Sequence, residues 1–271
     1  MFIGIANSIG QRFGGGGVAP FIGLLDTYSG AAAAYSLRQL SSSYSGSAIR
    51  VRRSSDNTEQ DIGFASNELD VTALASFCSG TNGFVTTWYD QSGNGNNAKQ
   101  TTAASQPKVY DYITGVITDN GKPSVYFNGS TGQMTLGSLF TQQPFTIMGV
   151  NNLGLSSGIL GDNNNGFFGH RASGEIILRT SVSLAYGSYP TSQNLFWGLA
   201  NSTNSQIYMN GVFGVQGDAG NTYSGWVYLG YAGAYGTRPT GYISEIIAYN
   251  SDQSSNRTGI ETNINNFYSI Y

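Results

Sequence analysis

Short apolar runs separated by turn residues fill most of the chain after about residue 107. These runs include SVYFNGS, FTIMGVNN, GEIILRT, NLFWGLA, GWVYLGY and GYISEIIAYN. In QIYMNGVFGV, two alternating stretches flank Asn210-Gly211, the pair that favours a type I′ hairpin turn. Many short strands at roughly ten-residue spacing predict an all-β sandwich.

Two short N-terminal segments have helical character instead. AAAAYSLRQL, at 31–40, is rich in helix formers and follows Ser29-Gly30, so a short helix is predicted there. LDVTALASF, at 69–77, predicts a second short helix.

The last twenty residues repeat their apolar positions at helical spacing. The positions are Ile260, Ile264, Phe267 and Tyr271, and Ser251 or Ser254 is a suitable N-cap. We therefore expect a C-terminal helix that packs one apolar stripe onto the sandwich.

The first twenty residues are predicted to form an extended N-terminal arm, and residues 21–271 the sandwich domain. FIGIANSI is apolar without an obvious partner, and the glycines at 14–17 predict a flexible joint. A disordered terminus is the alternative. If the arm is ordered, it is expected to anchor on another chain through Phe2, Ile3, Ile5 and Ile9. The stretch lacks a basic n-region and a continuous apolar region, so no signal peptide is expected.

The composition excludes several function classes. Charged residues make up only 10% of the chain and the net charge is −3, so a nucleic-acid partner is not expected. No run of about 18 apolar residues indicates a membrane span. The chain has a single His, which excludes a His-rich metal site and any catalytic relay that needs more than one His. It also has a single Cys, which excludes a disulfide within the chain. Neither a metal nor another cofactor is predicted.

The stretch FVTTWYDQSGNGNN, at 84–97, leads from an apolar strand into a loop of polar residues and glycine. Asp90 offers one carboxylate, whereas calcium takes 6–8 oxygens, usually from more than one carboxylate. We therefore expect a structural turn that Asp90 fixes, with Trp88 or Tyr89 facing the core. A calcium site is the alternative.

A second polar loop, GDNNNGFFGHR at 161–171, is the better ligand candidate. Planar amides beside aromatic rings suit sugars. The predicted glycan contacts, including a neighbouring wall from YAGAYGTRP, are Asp162, Asn163, Asn164, Asn165, His170, Tyr235 and Arg238. The alternative is a loop whose Asn residues only adopt left-handed conformations.

Two long segments resemble a known family. YSLRQLSSSYSGSAIRVRRSSDNTEQDIGF and FCSGTNGFVTTWYDQSGNGNNAKQ are similar to the catalytic-domain family of fungal and bacterial α-L-arabinofuranosidase B. The resemblance covers roughly residues 34–108. Beyond it, YFNGS, the MNG hairpin and GYISEIIAYN resemble laminin-G-like sandwiches, which implies a concanavalin A-like jelly roll. Similar segments also resemble structural proteins of tailed bacteriophages.

The resemblance implies positions for the family's functional residues. The acid/base Asp would fall on Ala234, and no segment matches that of the nucleophile, although Glu175 lies in the right general region. The family's disulfide would join Cys78 to the position of Gly83, so that bond is not expected here. A missing disulfide favours assembly in a reducing cell.

Three functions follow from these features. The first is a non-enzymatic bacteriophage virion protein, such as a capsid decoration, head fibre or tail appendage. It would be anchored to other virion proteins by residues 1–20, homo-oligomeric, and displayed on the virion surface with a sandwich that binds glycans. The second is an arabinofuranoside hydrolase using Glu175 and Asp162 as its carboxylate pair. The third is a free-standing lectin-like module.

Overall fold

The computed structural model describes residues 20–129, 132–140, 142–162, 166–187, 190–221, 225, 227–231 and 238–271. The predicted Phe2, Ile3, Ile5 and Ile9 anchor lies outside these residues, as do Asn163, Asn164, Asn165, Ala234 and Tyr235. The α-helices are α1 (Leu24–Thr27), α2 (Val71–Phe77) and α3 (Arg257–Tyr268), and a 3₁₀ turn covers Ala103–Ser105. No helix among the described residues is long and apolar enough to span a membrane.

Short antiparallel strands are the main regular structure of the described chain. The first twelve are β1 (Ala31–Ser36), β2 (Ile49–Arg53), β3 (Glu59–Ile62), β4 (Phe64–Ala65), β5 (Glu68–Leu69), β6 (Gly83–Trp88), β7 (Ala98–Lys99), β8 (Lys108–Asp111), β9 (Gly115–Val116), β10 (Thr118–Asp119), β11 (Lys122–Pro123) and β12 (Val125–Asn128). The remainder are β13 (Met134–Thr135), β14 (Phe145–Leu153), β15 (Gly158–Gly161), β16 (Phe167–His170), β17 (Ile176–Arg179), β18 (Ser183–Tyr186), β19 (Asn194–Ala200), β20 (Ser205–Met209), β21 (Val212–Gly217), β22 (Tyr228–Leu229) and β23 (Thr240–Tyr249).

The strands form two layers that are joined through β8 and β12. One layer runs β3-β2-β6-β7-β13-β22-β15-β16-β17-β18, each strand paired with the next. The other runs β21-β20-β19-β14-β23, and β23 then pairs with both β1 and β12. This arrangement confirms the predicted all-β, jelly-roll-like sandwich.

Strands β14, β19 and most of β23, in the second layer, are buried on both faces, which explains their nearly continuous apolar sequences. In β23, Ile246 and Ala248 belong to the core between the layers, while Ile247 and Tyr249 belong to a separate apolar cluster on the outer face. Successive strand residues point to opposite faces. A strand that is covered on both sides therefore carries apolar residues at consecutive positions, as in SEIIAY of β23, instead of alternating apolar and polar residues.

Helices α1 and α3 cover that outer face. Ile260 and Ile264 are fully buried there, and Tyr268 joins them. The predicted C-terminal helix is therefore confirmed, but its details differ. Tyr271 lies past the helix and is 54% exposed, and Asn256 occupies the N-cap position without a side-chain cap bond.

The helix predicted at 31–40 is wrong, because residues 31–36 form strand β1. All six side chains are buried, and the strand pairs with the C-terminal half of β23. Small Ala side chains suit a strand that packs against an apolar cluster on each of its two faces. Tertiary packing therefore overrides the helix propensity of the Ala residues. The second predicted helix is confirmed as α2, with Asp70 capping it by accepting a 2.8 Å bond from Ala73 N–H.

The predicted hairpin at 206–215 is confirmed. Met209 pairs with Val212 across the turn. Asn210 and Gly211 have φ of 50° and 75°, the left-handed values that a type I′ turn requires at both central positions.

Candidate functional site

The loop after β6 is organised around the Asp90 carboxylate, which is 4% exposed. Its Oδ1 accepts from the N–H groups of Ala34 (2.8 Å) and Ser92 (2.9 Å). Its Oδ2 accepts from Asn96 N–H at 3.0 Å and from the Ser92 hydroxyl at 2.8 Å. Both oxygens are therefore occupied, and the loop is tied to the neighbouring strand β1.

These contacts confirm the predicted structural turn. Trp88 is fully buried, as expected for the core-facing member of the Trp88-Tyr89 pair. Gly93 and Gly95 have φ of 89° and 74°, which the turn requires and side-chain-bearing residues rarely adopt. Among the described residues, no group of three His, Cys, Asp or Glu side chains is placed to share a metal ion.

Replacing Asp90 with Ala is expected to lower the free energy of unfolding by about 2–3 kcal/mol, because buried backbone N–H groups lose their acceptor. Chemical denaturation measures the change. Asp252→Ala is the matched control, since Asp252 is exposed and its carboxylate accepts from Ser254 N–H at 2.8 Å. If Asp252→Ala lowers the free energy of unfolding as much as Asp90→Ala does, the hydrogen bonds that Asp90 accepts do not stabilise the loop as proposed.

A pocket of about 300 Å³ lies beside this loop. Its one carboxylate, Asp26, accepts from the Ser41 hydroxyl at 2.8 Å and from the N–H groups of Gly23 and Ser42. Burial raises the pKa of Asp26, but these hydrogen bonds outweigh it and leave the pKa below its usual value. The Asp26 carboxylate thus has a structural role, because it links the residues around Gly23 to those around Ser41 and Ser42.

The described candidate residues of the second polar loop, Asp162 and His170, lie at different places in the sandwich. Asp162 is 2% exposed and follows β15, where its Oδ1 accepts from Gly166 N–H at 3.1 Å. His170 is also 2% exposed but ends β16, where its backbone exchanges two hydrogen bonds with Ser157. Burial lowers the pKa of His170 to about 3, and a hydrogen bond with the Gly154 backbone opposes that shift. At neutral pH this imidazole is neutral.

Glu175 lies at the His170 end of β16, far from Asp162. Gly161 pairs with Phe167 at one end of β16, while His170 pairs with Ile176 at the other. Arg171 lies five positions after Gly166, which at about 3.3 Å per residue is roughly 16 Å along the strand. A retaining glycosidase needs carboxyl groups about 5–5.5 Å apart, so Glu175 and Asp162 do not form the expected pair.

Glu175 is the accessible carboxylate of this region, with a 38% exposed side chain. Arg171 Nη1 lies 3.6 Å from its Oε2, and the Ser173 hydroxyl donates to the same oxygen at 2.8 Å. The turn between β16 and β17 therefore holds the carboxylate in place while leaving it open to solvent.

Tyr231 and Arg238, two described residues of the segment expected to form a neighbouring wall, lie near the Asp162 end. Strand β22 pairs with β15, matching Leu229 with Leu160. A Cβ at Gly161 would lie 2.9 Å from the Tyr231 carbonyl oxygen, so the two loops touch. The Arg238 guanidinium lies 5.6 Å from the centre of the Tyr231 ring. Arg238 and Asp162 thus share one end of the layer, and His170 occupies the other.

The structure also contains a polar pocket of about 390 Å³ that the sequence did not predict. Asp119 from β10, Asn152 from β14 and Gln193 before β19 line it, with Asn120, Thr191, Ser192, Ser269 and Ile270. Asn152 Nδ2 donates to Asp119 Oδ1 at 3.1 Å. Because these residues come from separate segments, their spacing in the sequence carried no signal of a shared site.

Cys78 is a buried thiol, and burial raises its pKa to about 11. A Cβ at Gly83 would lie 2.6 Å from its Sγ. The position that the family resemblance assigns to the disulfide partner is therefore adjacent to Cys78 in space.

Comparison with known proteins finds similarity to the same family over part of the chain. Residues 26–133 match the family model described as the catalytic domain of α-L-arabinofuranosidase B. The α-L-arabinofuranosidase B of Emericella nidulans is 38% identical over 107 residues, covering 35% of this chain and 21% of that protein. A probable α-L-arabinofuranosidase B of Aspergillus fumigatus is 36% identical over a region with the same coverage. The chain thus matches about a fifth of the length of these curated relatives.

Solved structures extend the likeness to most of the fold. An arabinofuranosidase of glycoside hydrolase family 54, soaked with a cyclic sulfate inhibitor, superposes with a TM-score of 0.63 at 20% identity. The alignment covers 86% of this chain and 62% of that one. An arabinofuranosidase complexed with arabinofuranosyl-α-1,2-xylobiose gives a TM-score of 0.59 with the same coverage.

These comparisons correct the functional prediction. The expectation of a non-enzymatic bacteriophage virion protein is wrong, since the matched family and the relatives are arabinofuranosidases. The expected capsid or tail role and the virion-surface location are wrong for the same reason. The chain has an arabinofuranosidase-like β-sandwich.

Proposed function

We propose that this chain is a glycoside hydrolase domain that acts on α-L-arabinofuranosides. The observation that carries the proposal is the match of residues 26–133 to an arabinofuranosidase catalytic domain. The shared sandwich, with a TM-score of 0.63, supports it over most of the chain. Conserved folds host varied activities, so the assignment rests on the match and on a test of the chemistry.

Glycoside hydrolysis uses two carboxyl groups, one to protonate the leaving oxygen and one to act as nucleophile or base. A carboxyl group can serve only where a substrate reaches it. Asp162 is buried directly after β15, whereas the Glu175 side chain is 38% exposed and is oriented by Arg171 and Ser173. We therefore assign one of the two roles to Glu175, with a partner other than Asp162.

The test is hydrolysis of 4-nitrophenyl α-L-arabinofuranoside by the purified chain, followed by single Asp→Asn and Glu→Gln substitutions at all 15 carboxyl residues. Glu175→Gln and one further substitution are expected to lower kcat at least 100-fold, the scale of a lost acid/base or nucleophilic group. Glu59→Gln is the matched control, because Glu59 lies on strand β3 with a 41% exposed side chain.

The outcomes distinguish the proposed activity from the proposed role of Glu175. If the folded wild-type chain releases no nitrophenol, the proposed activity is wrong. If the chain turns over substrate and Glu175→Gln keeps the wild-type rate, the activity stands and the role of Glu175 is wrong. Circular dichroism of every variant distinguishes lost chemistry from lost folding.

A further inference from the structure

The tip of the β8-β9 hairpin exposes two adjacent apolar side chains. Ile113 is 74% exposed, the largest exposed fraction among the large apolar side chains of the described residues, and Tyr112 beside it is 58% exposed. Single exposed apolar residues are common on protein surfaces, whereas contiguous apolar surface rimmed by polar residues marks a site of interaction. This Tyr112–Ile113 tip is therefore a candidate contact surface.

Hydrogen bonds hold the Tyr112–Ile113 tip in a fixed conformation. The Asp111 carboxylate accepts from Ile113 N–H at 2.9 Å and forms a 3.1 Å ion pair with Lys108. Asn82 Oδ1 accepts from Tyr112 N–H at 3.1 Å, which ties the tip to the loop before β6. Apolar side chains on a preorganised turn lose little conformational entropy when they bind, so this tip is suited to insertion into a partner.

An apolar groove of about 460 Å³ lies at the base of the same hairpin. The apolar residues that line this α2 groove are Ala65, Leu69, Val71, Val116 and Pro123. Val116 belongs to β9 and pairs with Tyr110 of β8, so the groove and the tip are neighbours on the surface. Because Tyr112 and Ile113 remain exposed, they do not fill the groove of their own chain.

The rim of the α2 groove carries two carboxylates. Glu68 has a 46% exposed side chain and lies 3.2 Å from Lys122 Nζ. Asp70 is half-buried and caps α2 through Oδ1, and none of the described residues donates to its Oδ2. A tyrosine suits an apolar floor with an acceptor at the rim, because its ring packs on the floor while its hydroxyl donates a hydrogen bond. The groove thus matches the chemistry of Tyr112.

We propose that a second copy of this chain binds here, with the Tyr112–Ile113 tip of each copy inserted into the α2 groove of the other. A two-fold axis brings one surface patch against itself, so a patch that carries both an apolar projection and an apolar groove is self-complementary. Such a contact is smaller than the roughly 800 Å² per partner of a standard interface, so the expected dimer dissociates on dilution in the micromolar range. The proposal is independent of the hydrolytic activity.

Sedimentation velocity of the full chain between about 1 and 500 μM tests the proposal, and the wild type is expected to shift from monomer to dimer over this range. Ile113→Asp places a charge on the tip. Val71→Lys places one in the groove, at a 43% exposed position at the start of α2. Each is expected to raise the Kd of the dimer at least about tenfold, the scale of a central interface residue. Val212→Asp is the matched control, at a 62% exposed position on β21, and keeps the wild-type Kd.

Mixing the two variants tests the reciprocal arrangement. Each variant alone forms a homodimer in which both tip-groove contacts are altered. The heterodimer keeps one contact intact and places opposite charges, Ile113→Asp against Val71→Lys, in the other. The mixture is therefore expected to associate more tightly than either variant alone, a rescue that a folding defect does not produce. Circular dichroism checks that each variant is folded.

Three results would overturn the proposal. A wild type that stays monomeric at the highest concentration would assign the groove to another occupant, such as residues 1–19 of the same chain or a different protein. Growth of the wild type beyond a dimer would indicate head-to-tail contacts instead of a two-fold axis. A folded Ile113→Asp variant that dimerises like the wild type, or a Val212→Asp control that loses dimerisation equally, would place the contact elsewhere.

Discussion

Replacing Glu245 with Gln is expected to lower the free energy of unfolding by about 3–5 kcal/mol, the cost of leaving a buried charge unpaired. Glu245 is fully buried in β23, beneath α3. Its two carboxylate oxygens accept from Arg38 Nε at 2.8 Å and Nη2 at 2.9 Å. The Ser36 hydroxyl donates to the same group at 2.7 Å. An amide keeps the shape but leaves the Arg38 guanidinium without its counter-charge.

Guanidinium chloride denaturation measures this effect, with Glu59→Gln as the matched control. Glu59 faces Arg50 at 4.0 Å with both side chains more than 40% exposed, so its loss is expected to cost less than about 1 kcal/mol. The double variant Arg38→Met/Glu245→Leu removes both charges and should recover part of the loss. A loss below 1 kcal/mol for Glu245→Gln would show that the pair adds little to stability.

Acid is expected to destabilise the protein through His170. Its pKa is about 3 in the folded state, against 6.5 for the unperturbed side chain. Between these values the unfolded chain binds a proton that the folded chain does not, so stability falls as the pH decreases. The stabilisation is present in full above about pH 6.5, and linkage gives a loss of about 3 kcal/mol between pH 7 and pH 4.

The measurement compares the free energy of unfolding of the wild type and His170→Gln across this pH range. The variant lacks the titrating ring, so its curve should fall less steeply, by about 3 kcal/mol in total. Other titrating groups contribute to both curves and cancel in the difference. Parallel curves would mean that His170 is protonated in the folded state at pH 4.

Local signals predicted local structure well. The Asn210-Gly211 turn, helix α2 and the apolar stripe of α3 each depend on neighbouring residues, and all are present. Strand β1 was predicted as a helix because its partner is distant: Ser36 pairs with Glu245. Nothing within residues 31–40 reveals that both faces will be covered.

The site residues, too, could be predicted only where the contacting groups are close together in the sequence. The role of Asp90 was predictable, since three of the four groups that donate to it lie within six residues. The 161–171 loop looked like one site because its polar residues are close in sequence, yet the β15-β16 hairpin carries Asp162 and His170 to opposite ends. Conversely, Asp119, Asn152 and Gln193 meet only once the second layer and the β10-β11 hairpin are in place.

The position of β23 has a consequence for how the chain is made. This strand spans Thr240–Tyr249 and pairs with β1, β12 and β14, all of which precede it in the chain. During synthesis, more than 200 residues leave the ribosome before β1 meets its partner. Folding dominated by such distant pairings is slow, and unpaired strands are prone to aggregate meanwhile. Efficient production is therefore expected to favour slow translation, low temperature and chaperones that shield exposed strand edges.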